Sequence, residues 1–136
     1  MADSRFEIID HPSDVGIIAH GENYKETFEN AAAAMFSVMA EIPNIKGDVS
    51  FDVAVKAEDR EELLIDWLSE LIYLEDSKKV LLNRFVITHL TDKELKAHVE
   101  GVRIDPQLHS LHRSIKAATY NMIELTEKKA RVIFDV

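Results

Sequence analysis

The chain has 136 residues, 46% hydrophobic and 30% charged, a balance that suits a packed globular domain and argues against a disordered or fibrous chain. There is no cysteine, which excludes disulfides, thiolate metal sites and thiol nucleophiles. The formal charge of −9 argues against strong direct nucleic acid binding, which draws on clustered Lys and Arg, and suits a cation or a basic protein partner instead.

The length fits a single domain over 1–136. Phe6 and Ile8 alternate against Glu7 and Ile9, which predicts a strand. The polar corner Asp10-His11-Pro12-Ser13-Asp14 interrupts it, and an extended apolar run resumes from Val15 to His20 before Gly21. A helix comes next, with Tyr24, Phe28, Ala31, Ala32, Met35, Phe36 and Met39 on one face. Asn23 is its expected N-cap, Glu26 completes a capping box, and Pro43 lies beyond its end. Phe51, Val53 and Val55 alternate as a half-buried strand. Asp59 caps a second helix with Glu62 three residues on, and its apolar stripe is Leu63, Leu64, Trp67, Leu68, Leu71 and Ile72. Lys78 and Lys79 suit the C-terminal end of that helix. Phe85, Ile87 and His89 predict a strand that turns at Thr91-Asp92-Lys93 and returns through Leu95, Ala97 and Val99. A polar loop from Arg103 to Arg113 leads to a strand over Ala117 to Leu125. Glu127-Lys128-Lys129 turns into a last strand, Arg131 to Asp135. The order ββαβαββββ does not alternate regularly, so the expected class is α+β: mainly antiparallel sheet layers packed with two long helices. No apolar stretch is long enough to span a membrane and no leader is visible, so a cytoplasmic location is expected.

Three places could carry chemistry. The corner at Asp10, His11 and Asp14 offers oxygen and nitrogen ligands for a hard cation. Fully extended, Asp10 and Asp14 would lie roughly 13 Å apart at about 3.3 Å per residue, so one of them would need a partner from elsewhere. Asp, Ser and Pro are also ordinary turn formers, and the corner could be only that. At the other end Asp135 succeeds the apolar run Val132-Ile133-Phe134, with the α-carboxylate of Val136 beside it. Two like charges 4 Å apart repel by about 4 kcal/mol at an effective dielectric of 20, a cost that a divalent cation or simple exposure to water would relieve. His109 and His112, after Asp105 and before Lys116, lack a clear third ligand for zinc and fit a solvated loop better. No phosphate-binding glycine loop, paired-histidine protease motif or serine elbow is present. Nor is there the aromatic and basic pattern of an RNA-binding sheet.

Taken in order, these segments resemble the archease family. Asp10-His11-Pro12-Ser13-Asp14-Val15-Gly16 is similar to the Asp-His-Thr-Ala-Asp signature near the family's start, with Pro12-Ser13 replacing Thr-Ala. Gly21 and the helix bearing Phe28, Ala31, Ala32, Met35 and Phe36 match the segment after that signature. Leu63 to Leu71 resembles the second helix, Lys116-Ala117-Ala118-Thr119-Tyr120 the Lys-Ala-x-Thr-Tyr motif, and Phe134-Asp135-Val136 the characteristic tail. The resemblance implies a non-catalytic protein associated with the GTP-dependent tRNA-splicing RNA ligase, promoting its guanylylation and multiple turnover. A chaperone-like effect on a tRNA cytosine methyltransferase is the alternative it carries. It also implies a calcium-type metal at Asp14 and Asp135, with Val136 contributing its carboxylate and His11, Asp10 and Lys116 in support; magnesium or manganese would suit the same oxygen ligands. A metal-dependent hydrolase using Asp14 and Asp135 as ligands and His11 as base is the remaining reading; no recognisable nucleophile or substrate loop accompanies it.

Overall fold

A computed structural model of the protein describes residues 4–10, 12–41, 47–105, 107 and 111–136. The elements run in the order β1 (Phe6–Asp10), β2 (Asp14–His20), α1 (Tyr24–Met39), β3 (Val49–Lys56), α2 (Arg60–Lys78), β4 (Val80–Leu90), β5 (Glu94–Arg103), β6 (Ala117–Leu125) and β7 (Lys129–Asp135). This is the ββαβαββββ α+β architecture expected. The strands form two antiparallel sheets, one of four strands in the order β1-β2-β7-β6 and one of three in the order β3-β5-β4.

Both helices begin where the capping chemistry places them. Asn23 and Asp59 sit in extended backbone, and their side-chain oxygens accept from the N–H groups of Glu26 and Glu62, each at 2.9 Å. Helix α1 lies against β1, β2 and β7 of the first sheet and against β4 of the second. Its small residues Ala31, Ala32 and Ala34 are fully buried, so the alanine run serves close packing. Helix α2 packs against β3, β4 and β5 and runs beside the edge strand β6. Trp67, fully buried on α2, donates its indole N–H to the Phe28 carbonyl of α1 at 3.0 Å, and its ring meets Phe85 of β4 edge-on.

Two details depart from the sequence reading. Strand β4 begins at Val80, five residues before the expected Phe85, because Lys79 adopts a left-handed conformation (φ 54°) that ends α2 and turns the chain at once into the sheet. Strand β6 has no paired register between Thr119 and Glu124, and Met122 within that gap also has a positive φ of 53°. Gly101 of β5 lies so close to the backbone of Leu81 and Leu82 that a Cβ would collide with it, which is why β4 and β5 can bulge past one another there. The position of Pro43 lies outside the described residues.

Candidate functional site

The first sheet builds the site through its strand order. Strand β7, from the tail, inserts between β2 and β6, and its register with β2 sets Val15 against Phe134 and Asp14 against Asp135. Val15 and Phe134 are buried and anchor the pair from the core side. Side chains alternate across a strand, so the neighbouring Asp14 and Asp135 both project from the opposite, outer face. Residues directly opposite in an antiparallel pair have Cα atoms about 4.5–5.5 Å apart, so these carboxylates are held as cross-strand neighbours. The early corner and the tail therefore converge.

The surroundings are assembled from three further segments. Ala117 of β6 lies opposite Asp135 on its other side, and a side chain this short leaves the carboxylate open. The Lys116 N–H donates to the Asp135 carbonyl at 2.8 Å, tying the start of β6 to the tail, and the Lys116 side chain is exposed. Val136 is half-buried and packs against the core, which steadies the residue before it. Gly16, two residues along β2, faces Ile133, whose Cδ1 would stand 2.9 Å from an added Cβ; the missing side chain lets the strands close next to the acidic pair.

Asp10 has a different partner. Its carboxylate is bound by the guanidinium of Arg113, which also donates to the Pro12 carbonyl at 3.3 Å. This clamp ties the corner to the segment after the polar loop. That segment is itself fixed along the end of α1 by the His112 N–H on the Met39 carbonyl at 2.8 Å and by the bridge between Ala40 and Leu111. Reading the sequence missed the clamp, since nothing local marks Arg113 among the other basic residues. His11 and His109 lie outside the described residues. His112 is exposed and joins no ligand set among the described residues.

The donor chemistry can be tested against a metal. Among the described residues no three His, Asp or Glu side chains converge as a cage, and the Asp14 and Asp135 carboxylates have no hydrogen-bond or ion-pair partner there. Two carboxylates opposite one another in a ladder are mutually repulsive. A hard divalent cation fits such a pair: it takes oxygen ligands and keeps waters in its remaining positions. A softer metal seeking imidazole or thiolate does not fit.

The fold and the acidic pair together define a small two-sheet α+β domain whose second and last strands meet in one acidic corner. The archease protein family (MTH1598/TM1083) model matches residues 6–136. The chain belongs to the archease family. It is 36% identical to the protein archease of Methanosarcina mazei, over 97% of this chain and 96% of that relative. It is 34% identical to the protein archease of Methanothermobacter thermautotrophicus, over 96% and 98%. The solution structure of Methanobacterium thermoautotrophicum protein 1598 superposes with a TM-score of 0.79 at 34% identity, covering 97% of this chain and 99% of that one. The crystal structure of an archease and possible chaperone from Thermotoga maritima, at 24% identity and a TM-score of 0.63 over 94% of each chain, shares the fold.

Proposed function

We propose that this protein is a non-catalytic accessory factor that activates a GTP-dependent RNA ligase of the tRNA-splicing type in the cytoplasm, promoting its guanylylation and multiple turnover. The active element is the acidic corner. Asp14 and Asp135, with an oxygen of Val136, hold a divalent cation there, calcium first and magnesium or manganese as alternatives. Lys116 stands beside the pair, Asp10 positions the corner through Arg113, and His11 is a supporting ligand in this reading. The observation that carries this reading is the β2–β7 register, which sets two carboxylates of like charge opposite one another. A bound cation would supply positive charge that offsets their repulsion and leaves open positions for a partner's oxygen atoms.

The test is ligase guanylylation with and without this protein, across a calcium titration, using wild type, Asp14→Ala and Asp135→Ala. Both variants are expected to keep the circular dichroism spectrum of the wild type and to lose stimulation. Full stimulation by both folded variants defeats the proposal. The rival reading, a chaperone or specificity modulator of a tRNA cytosine methyltransferase, needs a partner surface and no metal. It gains if chelator leaves the protein's effect on a partner enzyme intact. A metal-dependent hydrolase would instead turn over a small phosphoester with the purified protein alone.

A further inference from the structure

Strand β6 is one edge of the first sheet, and α2 runs along it. Two large side chains of that strand stand out into solvent, Tyr120 at 54% and Met122 at 61% exposure. They sit in the stretch where β6 leaves its register with β7 and Met122 takes a positive φ. A bulge of this kind re-aims side chains and spoils an edge as a template for an added strand. Whatever uses this edge therefore reads its side chains.

The helix beside it is strongly one-signed. Between positions 58 and 76 there are eight carboxylates and one basic residue, Arg60, a net −7 within a chain whose total is −9. Arg60 is drawn off over the Tyr24 ring, 4.2 Å from its centroid. Glu62, Asp66 and Glu70 recur at helical spacing and form one stripe, and among the described residues none of them has an ion-pair partner. Like charges at that spacing weaken a helix, so the stripe is a local cost to the fold. Glu62 and Asp66 of this stripe stand near β6, which α2 packs against: the Tyr120 phenol is pushed above its ordinary pKa first by burial and then by Asp66, Glu62, Asp59 and Glu61. Further along, an open groove of about 680 Å³ runs between the start of α2 and the end of β6, with Ile123 and Leu125 among its lining.

We propose that the α2–β6 face is a docking surface for a basic, Lys- or Arg-rich segment of a protein partner. The cationic heads meet Glu62 and Asp66 while their aliphatic stems lie on Tyr120 and Met122. An arginine there can also stack over the Tyr120 ring. Charge complementarity selects this occupant. The stripe repels nucleic acid phosphates, and it repels the same stripe on a second copy of the chain. The surface stands independently of whether Asp14 and Asp135 hold a cation.

The experiment is an amide NMR titration of the ¹⁵N-labelled protein with a nine-residue peptide of alternating arginine and alanine, and with its glutamate counterpart as control. The basic peptide is expected to shift amides of α2 and of positions 118–125, more weakly as salt rises, and the acidic peptide to shift none. Glu62→Lys with Asp66→Lys is expected to weaken binding by at least about tenfold, and Tyr120→Ala with Met122→Ala by about fivefold, the range of moderate interface hot spots. Asp14→Ala is expected to bind the peptide as wild type does, which separates this surface from the metal reading. Dispersed spectra of each variant check that it folds. Shifts spread over every acidic surface, wild-type binding by both double variants, concentration-dependent self-association through this face, or equal shifts by an RNA oligonucleotide each overturn the proposal.

Discussion

His98 stands between two carboxylates on the outer side of the second sheet. Its Nδ1 lies 2.9 Å from Asp52 Oδ1 and its Nε2 3.4 Å from Glu100 Oε2. The hydrogen bond with Asp52 raises its pKa most; desolvation works the other way, and the charges of Asp52 and Glu100 add to the rise. A raised folded-state pKa means that the protonated ring binds these partners better in the folded chain than in the unfolded one. The resulting stability is fully present below the unfolded value of about 6.5 and is lost as pH climbs through the folded value. A ring-proton titration is therefore expected to place His98 above the ordinary imidazole value. Asp52→Asn should bring it down and shrink the excess of thermal stability at pH 6 over pH 8. An unchanged titration in that variant would show that the pair is not coupled. At this scale the sequence was only partly legible. Asp14 stood out within a dense polar corner and Asp135 after an apolar run at the tail, and it was the family resemblance that paired them. The bond between Asp10 and Arg113 spans 103 positions, and no periodicity connects them. Asp10 therefore read as a free ligand candidate, where the fold gives it a guanidinium.

The elements themselves were readable wherever two local signals agreed. Both helices have a capping residue, a carboxylate three positions later and an apolar stripe, and both start where those signals put them. The junction from α2 to β4 was not readable because it has no loop. Lys78 and Lys79 marked the helix end, but one residue, Lys79, makes the turn in a conformation that glycine usually supplies, so nothing in Val80-Leu81-Leu82 marked where the strand begins. The strain there predicts its own relief. Lys79→Gly removes the penalty of a left-handed non-glycine residue and is expected to stabilise the protein by about 1 kcal/mol. A thermal melt should then rise by roughly 3–5 °C. A lower melting temperature would mean that the Lys79 side chain, 3.7 Å from Asp76, contributes more than the backbone strain costs. The kink in β6 was equally hidden. Ala117 to Leu125 reads as one continuous strand, and the sequence carries no glycine or proline to announce the positive φ at Met122.

Across the whole molecule one aromatic group ties the layers together within a continuous core. Trp67 links the helices through the Phe28 carbonyl and reaches the second sheet through Phe85, which in turn packs on Phe36 of α1 at 5.7 Å between ring centroids. Trp67→Phe removes the indole donor from a buried carbonyl and leaves part of the ring volume empty. The expected loss is about 2–4 kcal/mol, read as a lower urea midpoint at unchanged slope. A midpoint within error of wild type would show that the helices are held together elsewhere. The acidic corner depends on the same long-range assembly, because a segment near the start and one near the end must be neighbours before it exists. That dependence has a further consequence. Side chains in a strand obey a parity of two, so sliding the tail by a single position would set Asp14 beside Phe134, turn an acid inward and drive an aromatic ring into water. The greasy residues Val15, Ile17, Val132 and Phe134 thus act as a ratchet that admits only one meshing of the two ribbons, and the spacing of two charges at the rim is set by oil several ångströms beneath them.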